Sequence, residues 1–346
     1  MRIGQFIQFG IGGADRSAEN LIRGLLTILS EELLIFYNEQ SIPKLSSQWD
    51  LDAKMLNRQK NYNDLKLIKI DKISALNTYS LDILNTHRSG DDFWALPNFE
   101  STQFNFKVIE TNFHGTLKTK ADYRIFPSHT MVKKLGISCP HTVIPNAIRS
   151  PTTSEDLRGE LGIQDKFIFG RVGRACNEIY SNINLLSYKQ IESKDTVFVY
   201  ASPCNKAKED AQSIGIKNII FLDQTIDDVR ISKIYNTFDV FCHSSSVGET
   251  FGNTIAEAMI HGKPVISHIG ISSWSQAQPE LLGEVTELFI TNNILDNYLM
   301  IMKKLMEDKE YYKKVATYLK NRADRLYDYR KVSKQYLDVY RKVTRR

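Results

Sequence analysis

The stretch from His243 to Ile266 constrains the fold more than any other part of this chain. It begins at the end of an apolar run that predicts a buried strand, and Gly248 and Gly252 leave the following loop open to close approach of a ligand. A helix is predicted from about Asn253, and Gly262-Lys263-Pro264 ends it and starts a second buried strand. This order of elements indicates a parallel α/β sheet, and the amides at the helix N-terminus suit a diphosphate.

Two carboxylates, Glu249 in the loop and Glu257 two helical turns further on, are spaced by seven residues in this stretch. A single glutamate is usually a solvated surface charge. The whole string, from Gly248-Glu-Thr-Phe-Gly-Asn-Thr-Ile-Ala-Glu-Ala-Met259 to Gly262-Lys-Pro-Val-Ile266, resembles the Glu-x7-Glu signature of retaining glycosyltransferases of family 4. The resemblance implies a GT-B fold, in which two Rossmann-like domains face each other across a cleft and the last helix returns to the first domain.

Alternating strands and helices along the chain agree with two α/β domains. Strands are predicted at 3–9, 33–37, 65–70, 83–87, 107–111, 123–127, 141–144, 167–172, 197–200, 219–222, 240–243 and 264–267, and the chain is helical in character from Leu295 onwards. The proline-containing connection 145–154 predicts the boundary. We therefore expect an N-terminal acceptor-binding domain, 1–150 with the helix 333–346, and a donor-binding domain, 151–332.

Composition indicates a globular protein of 346 residues, with 42 % hydrophobic residues and a mean hydropathy of −0.31. No apolar run approaches the 20 or so residues of a membrane-spanning helix, and the first residues predict a strand rather than a signal peptide. Cys139, Cys176, Cys204 and Cys242 show no metal-ligand spacing, as expected of reduced cysteines. These features favour a cytoplasmic location.

The positive charge is concentrated at the C-terminus. From Lys303 to Arg346 there are 15 Lys and Arg against 6 Asp and Glu, whereas the rest of the chain carries a net charge of −4. A solvated helical face with packed tyrosines is the first interpretation. Peripheral contact with the anionic inner face of a membrane is the second, and we expect no nucleic-acid partner.

By the family resemblance, both glutamates bind the donor, a nucleoside-diphosphate sugar. Glu257 accepts hydrogen bonds from the ribose hydroxyls and Glu249 from hydroxyls of the transferred sugar, where it counts as catalytic. The donor-binding residues implied in this way are Gly12, Gly13, Arg174, Glu249, Thr250, Phe251, Gly252, Asn253, Thr254 and Glu257.

The N-terminal half contributes further candidates. Gly10-Ile-Gly-Gly-Ala-Asp-Arg16 follows the first strand and resembles the family's glycine-rich loop, which places Arg16 on the acceptor side. His114 follows a buried strand end, in a context where many family members carry a histidine that contacts the transferred sugar, so the resemblance implies that His114 is catalytic. His87 ends another strand and is the acceptor-side candidate there.

Val172-Gly-Arg174 resembles the family's Val-Gly-Arg turn, whose arginine is catalytic because it clamps the diphosphate as the leaving group departs. The lysine that accompanies it in the family is absent, because the segment 175–182, around Ile179, contains none. Lys206, Lys208 and Lys133 are candidates to replace it.

The resemblance implies metal-independent transfer with retention of configuration, in polysaccharide or glycoconjugate biosynthesis, to a sugar, lipid-linked glycan or other hydroxyl acceptor. We expect no cofactor and no metal site, since Asp50 and Asp52 form the only Asp-x-Asp and lie far in sequence from the donor motif. A nucleotide-sugar 2-epimerase of the same fold and a non-catalytic GT-B partner protein remain alternatives. A nicotinamide dehydrogenase is disfavoured, because the glycine fingerprint after the first strand is incomplete.

Overall fold

The chain divides into two compact units. A computed structural model describes residues 1–10, 12–39, 58–88, 98–117, 119–271 and 275–345. Unit 1 comprises Met1–Ala147 and Tyr329–Arg346, and unit 2 comprises Ile148–Asp328. The C-terminal helix therefore belongs to the same unit as the N-terminus.

Unit 1 is built on a seven-stranded parallel sheet in the order β3-β2-β1-β4-β5-β6-β7. Its strands are β1 (Arg2–Phe6), β2 (Glu32–Tyr37), β3 (Leu67–Lys69), β4 (Ile83–Arg88), β5 (Lys107–Asn112), β6 (Tyr123–Phe126) and β7 (His141–Val143). Its helices are α1 (Gly13–Ile28), α2 (His129–Leu135) and the C-terminal Tyr329–Thr344, and 3-10 turns span Arg58–Tyr62 and Ile73–Tyr79. The strand order reverses between β1 and β4.

Unit 2 repeats this architecture with a six-stranded parallel sheet in the order β10-β9-β8-β11-β12-β13. Its strands are β8 (Phe167–Val172), β9 (Thr196–Ala201), β10 (Ile219–Leu222), β11 (Val240–Cys242), β12 (Val265–His268) and β13 (Phe289–Ile290). Its helices are α3 (Arg158–Leu161), α4 (Ile183–Lys189), α5 (Asn205–Ile214), α6 (Asp228–Thr237), α7 (Asn253–Ile260), α8 (Gln278–Leu282), α9 (Ile294–Glu307) and α10 (Lys309–Leu326), so that Tyr329–Thr344 is α11.

The central strands of both sheets are mostly buried. Strand β9 is buried along its whole length, as expected of a parallel strand inside a doubly wound sheet. Helix boundaries follow ordinary capping rules: the side chain of Asp227 accepts hydrogen bonds from backbone amides at the start of α6, and that of Asp308 does so for α10.

Helix α11 packs against α1 within unit 1. Its buried face includes Tyr336 and Tyr340, and the hydroxyl of Tyr340 accepts a hydrogen bond of 3.0 Å from Gln5 on β1. Gly24 on α1 lies so close to Ser333 and to the carbonyl of Tyr329 that a Cβ atom would overlap both. The last helix is thus an integral part of the N-terminal core.

Most predicted strands are present, with small shifts at their ends. The first strand ends at Phe6 rather than at residue 9, and β13 is a two-residue strand that the sequence pattern did not indicate. The predicted C-terminal helical region corresponds to α9, α10 and α11. Within the described part of the chain, no helix has the length and apolar character needed to cross a bilayer.

Candidate functional site

The topological switch point of unit 2 brings two sequence-predicted segments together. The chain leaves β8 towards β9 and β10, then returns to pair β11 on the other side of β8. Crevices outside the carboxyl ends of such strands are the usual ligand sites of open α/β sheets. Arg174 follows β8, whereas Glu249 lies in the loop after β11, so both belong to this crevice edge.

The loop that carries Glu249 is held tightly against a neighbouring segment. Gly248 approaches the carbonyl of Ser275 too closely for any Cβ atom to fit. The carbonyl of Glu249 accepts a 2.9 Å hydrogen bond from the amide of Ala277, and Glu249 forms a parallel bridge with Gln276. Glycine at 248 is therefore required by close packing, and the backbone of Glu249 is fixed.

Gly252 begins α7 in a conformation that favours glycine, with φ of +106°. Beside it, Phe251 is buried and packs edge-on against Tyr327, with ring centroids 5.4 Å apart. The next residues, Asn253 and Thr254, are half-buried and form the first turn of α7. The first amides of a helix lack intrahelical partners, so this turn is suited to an anion.

Glu257 is a buried carboxylate, only 7 % exposed, on the second turn of α7. The hydroxyl of Tyr235 on α6, itself completely buried, donates a 2.7 Å hydrogen bond to its Oε2 atom. A buried charge without such a partner is strongly unfavourable. Glu257 is therefore a held acceptor group and not a solvated surface charge.

Glu249 is more accessible, with 30 % of its side chain exposed, and its partner is a histidine. Nε2 of His243 lies 3.1 Å from Oε1 of Glu249, and Nδ1 lies 2.8 Å from Oγ of Ser267. His243 is buried, and burial lowers its pKa although Glu249 acts to raise it. Sequence reasoning missed this partnership, and Ser267 reaches His243 only through the pairing of β11 with β12.

Two arginines follow one another at the end of β8 with different surroundings. Arg174 is exposed, whereas Arg171 is only 5 % exposed. Nε of Arg171 donates a 3.0 Å hydrogen bond to the hydroxyl of Tyr200, and Arg171 lies within electrostatic range of Glu249. Sequence analysis assigned no role to Arg171, which adds a buried positive charge beside the candidate site.

The segment without the expected lysine packs on the loop after β11. The carbonyl of Ile179 accepts a 3.0 Å hydrogen bond from the amide of Ser246. The side chain of Asn177 accepts one of 3.2 Å from the amide of Lys206, so the start of α5 lies beside this segment. Lys206 and Lys208 are both exposed, while Lys133 belongs to unit 1. Lys206 is thus the replacement candidate whose backbone is fixed next to the segment.

In unit 1 the glycine-rich loop follows β1 at the corresponding switch point. The amide of Gly12 donates a 3.3 Å hydrogen bond to Asp15, and Gly13 is the first residue of α1. Arg16, in the first turn of α1, is half-buried. A Cβ atom on Gly10 would contact the carboxylate of Asp15, so Gly10 leaves room for this side chain beside the loop.

His87, at the end of β4 across this switch point, belongs to an internal polar network. Its Nε2 lies 3.0 Å from Oε1 of Gln5, which also accepts a 3.2 Å hydrogen bond from Asn85. Burial lowers the pKa of His87 to about 3, so the imidazole is neutral at pH 7. In this structure His87 interacts with its own sheet and, through Gln5, with Tyr340 of α11.

His114 is exposed, and the loop that carries it is held by the buried side chain of Asn112. The side chain of Asn112 accepts a 2.7 Å hydrogen bond from the amide of Gly115, whose φ is +90°. Asn112 in turn donates to Glu110, which is completely buried and forms a 3.3 Å ion pair with Arg124. The sequence-predicted histidine is therefore presented to solvent by a rigid turn.

Asp50 and Asp52, the pair discussed for metal binding, lie outside the described residues. Within the described ranges, no group of three or more His, Cys, Asp or Glu side chains is arranged to hold a metal ion.

Comparisons with known proteins agree with this architecture. Residues 167–308 match the family model described as "Glycosyl transferases group 1". The chain superposes on Anabaena Alr3699/HepE, solved in complex with UDP and glucose, with a TM-score of 0.71 and 16 % identity over 98 % of this chain and 99 % of that one. The fold is GT-B.

Two further structures with the GT-B architecture extend the comparison. A glycosyltransferase from Rickettsia africae superposes with a TM-score of 0.72 and 15 % identity over 99 % of this chain and 98 % of that one. Sucrose-phosphate synthase from Thermosynechococcus elongatus gives 0.70 and 14 % over 99 % of each chain. No curated protein sequence matches the chain. The segment matched by the family model contains Arg174, Glu249 and Glu257.

Proposed function

We propose that this protein is a retaining glycosyltransferase that moves a sugar from a nucleoside-diphosphate sugar to a hydroxyl acceptor in polysaccharide or glycoconjugate synthesis. The observation that carries the proposal is the pair of carboxylates on either side of the first turn of α7. Glu257 is buried and fixed by Tyr235, and Glu249 is accessible and fixed by His243. The family-model match over residues 167–308 and the UDP bound to the similar Anabaena protein support this donor class.

Each group then has a chemical task. A fixed carboxylate can accept two hydrogen bonds, which suits the vicinal hydroxyls of a ribose at Glu257 and sugar hydroxyls at Glu249. Negative charge grows on the departing diphosphate, and Arg174 with the amides of Thr250, Gly252 and Asn253 would stabilise it. Loss of one such contact costs about 2–4 kcal/mol of transition-state stabilisation. Because these groups supply the charge, the proposed transfer needs no metal and no cofactor.

Unit 1 is assigned to the acceptor side. Its loop of Gly12 and Gly13 is assigned to the donor phosphates, and Arg16 at the start of α1 offers a cation to the acceptor. His114 is exposed and is the residue we assign to the transferred sugar, as a hydrogen-bond donor. His87 is assigned a positioning role, because its Nε2 is engaged with Gln5.

The decisive experiment measures binding of UDP, GDP, ADP and TDP by calorimetry to the wild type, Glu257→Gln and Glu257→Ala. Glu257→Gln keeps an oxygen that accepts from Tyr235, so it separates loss of charge from loss of folding. We expect one nucleotide to bind selectively and both variants to lose at least tenfold in affinity. Glu209→Ala, an exposed glutamate on α5, is the matched control and should bind as the wild type does. If no nucleotide binds the wild type, the protein is a non-catalytic GT-B partner.

Turnover completes the test. With the donor that binds and a hydroxyl acceptor, nuclear magnetic resonance of the product should show the donor's anomeric configuration, and excess EDTA should leave the rate unchanged. Release of a 2-epimeric sugar without acceptor would instead identify an epimerase. An inverted product or loss of activity with EDTA would contradict the mechanism.

Membrane contact is the second part of the proposal, supported by the exposed basic residues of α11. Lys334 and Lys342 are exposed on this helix. At low salt the protein should sediment with vesicles containing anionic phosphatidylserine, and Lys334→Glu with Lys342→Glu should weaken this. The control is the double variant Lys313→Glu with Lys314→Glu, which makes the same change of charge at exposed positions of α10. Equal loss in both double variants, or no binding by the wild type, would contradict a membrane-facing α11.

A further inference from the structure

His243 connects a strand of the unit 2 core to the accessible carboxylate of the site. It follows β11 directly, is 2 % exposed, and contacts Ser267 on β12 through Nδ1 and Glu249 through Nε2. The three side chains form one line of hydrogen bonds, from a hydroxyl through an imidazole to a carboxylate. Neither His243 nor Ser267 is among the donor-binding residues that the family resemblance implies.

The hydrogen-bonding partners define the protonation of the ring. An ionised Glu249 only accepts hydrogen bonds, so Nε2 must carry a proton. In the neutral imidazole Nδ1 is then an acceptor, and the hydroxyl of Ser267 can donate to it. Burial, which lowers the pKa of His243, favours this neutral form. Glu249 therefore selects the tautomer, and Ser267 stabilises it by donating to Nδ1.

The imidazole is also fixed through its backbone. The amide of His243 donates a 2.9 Å hydrogen bond to the carbonyl of Ile266 on β12. Its carbonyl accepts a 3.0 Å hydrogen bond from the hydroxyl of Tyr298, which is completely buried on α9. The ring thus belongs to the rigid core and not to the mobile part of a loop.

Within the described residues, His243 is the side chain that hydrogen-bonds the carboxylate of Glu249, and it uses Oε1. The second oxygen, Oε2, remains available to a ligand on a side chain that is 30 % exposed. Arg171, in electrostatic range of both residues, favours the neutral form of the His243 imidazole. Ser267, His243 and Arg171 together therefore leave Oε2 of Glu249 as the oxygen that can accept a hydrogen bond from a ligand.

We propose that His243 is a positioning residue that orients Glu249 to accept a hydroxyl of the transferred sugar, with Ser267 holding the required tautomer. This inference rests on the proposed function, because it gives the carboxylate a sugar ligand. It separates two parts of donor recognition: Glu257 serves the nucleoside, whereas the Ser267–His243–Glu249 line serves the sugar. Loss of His243 should then weaken sugar binding without weakening nucleotide binding.

Two amide substitutions separate the two ring nitrogens. The amide of asparagine reaches the position of Nδ1, so His243→Asn keeps the contact with Ser267 and loses the one with Glu249. The longer glutamine places its nitrogen near Nε2, so His243→Gln restores a donor to Glu249. Both variants bury a neutral amide at the same site, so each is a folding control for the other. Ser267→Ala removes the partner of Nδ1 while the histidine stays in place.

The readout is the sugar gain, defined as the ratio of the dissociation constant of a nucleoside diphosphate to that of its glucose ester. It is measured by calorimetry with UDP, GDP, ADP and TDP and the corresponding glucose esters. We expect His243→Asn to lower the gain about tenfold with unchanged affinity for the diphosphate. His243→Gln should retain most of the gain, and Ser267→Ala should lower it a few-fold.

An unchanged sugar gain in His243→Asn, or an equal loss of affinity for the diphosphate and its ester, would overturn the inference, the second result indicating a purely structural histidine. If His243→Asn does not fold, Ser267→Ala decides, and a gain equal to that of the wild type overturns the role of the hydrogen-bonded line. Failure of the wild type to bind any nucleoside diphosphate is a different result, since it rejects the proposed function itself.

Discussion

The hydroxyl of Tyr235 donates a 2.7 Å hydrogen bond to the carboxylate of Glu257, and both side chains are buried between α6 and α7. The two residues are far apart in sequence, yet this contact determines which way the carboxylate faces. The tyrosine ring also stacks on His261, at a centroid distance of 5.0 Å, so the phenol cannot easily turn away. Glu257 is thereby pre-oriented before any ligand arrives.

Tyr235→Phe removes this hydrogen bond and leaves the packing of the ring in place. We expect the affinity for the nucleoside diphosphate to fall about tenfold, since a hydrogen bond to a charged group contributes about 1.5–3 kcal/mol. Calorimetric titration with the nucleotide measures it. Tyr188→Phe is the matched control, because Tyr188 is also buried and donates to the carbonyl of Asn218. A similar loss of nucleotide affinity in both variants would reveal a general effect of destabilisation.

Lys206→Ala tests whether α5 supplies the cation missing near Ile179. The amide of Lys206 is fixed to Asn177 in that segment, and the side chain is exposed. We expect a three- to tenfold weaker affinity for the diphosphate and little change for the nucleoside, since a lysine acts as a point charge on phosphate. Lys208→Ala changes the same charge two residues further along α5. Comparable losses in both variants would indicate long-range attraction and not a contact.

We predict that His268 lowers the free energy of unfolding in mild acid. Burial lowers its pKa to about 4, against an ordinary value of 6.5, and Nδ1 donates to the carbonyl of Ile269 at 2.8 Å. As the pH falls below 6.5, the unfolded chain binds a proton that the folded protein excludes, until protonation of the folded state near pH 4. This residue should therefore cost about 2 kcal/mol of unfolding free energy between pH 7 and pH 5.

His268→Asn removes the titrating group and keeps a donor towards Ile269. Urea unfolding at pH 7 and pH 5 should show a smaller pH dependence for this variant than for the wild type, by about 2 kcal/mol. His87 and His243, whose pKa values are lowered in the same direction, leave a residual slope in both proteins. His129→Asn, at an exposed position of α2, should match the wild type. An identical pH dependence in His268→Asn would contradict the assignment.

Much of the fold could be predicted because it rests on local patterns. Apolar runs bounded by turn residues identified β8 and β10 at their observed limits. Strand β13 was missed because two residues, Phe289 and Ile290, are too few for any periodicity. The end of β1 was placed three residues too late, because Ile7 and Phe9 are buried without continuing the strand.

The residues of the candidate site also differ in whether local sequence patterns could predict them. Glu249, Gly252 and Glu257 lie within one short segment, and the resemblance of that whole segment to a known family motif indicated a site. Tyr235, Ser267 and Arg171 come from other elements. Tyr235 reaches the site through the packing of α6, and Ser267 and Arg171 reach it because β12 and β8 both pair with β11. Groups proposed to bind the donor were thus visible in sequence, whereas the groups that orient them depend on tertiary contacts.

Gly24→Ala should destabilise unit 1 by detaching α11 from α1. At an ordinary helix position this substitution adds about 1 kcal/mol of helix propensity. Here the new methyl group would overlap Ser333 and the carbonyl of Tyr329, and the backbone cannot yield without moving the helix. Ser333 also donates a 3.0 Å hydrogen bond to the carbonyl of Leu21, which the overlap would disturb. We expect a net loss of about 1–3 kcal/mol, as for other overpacked cores.

Gly159→Ala provides the opposite case. Gly159 lies in α3, and a Cβ atom there meets no heavy atom within 4 Å. Reduced freedom of the unfolded chain should make this variant as stable as the wild type or more stable, by up to about 1 kcal/mol. Urea unfolding of both variants gives the comparison, followed by fluorescence and by hydrogen exchange in α11. If Gly24→Ala is as stable as Gly159→Ala and exchange in α11 is unchanged, the close contact between Gly24 and Ser333 does not hold the last helix in place.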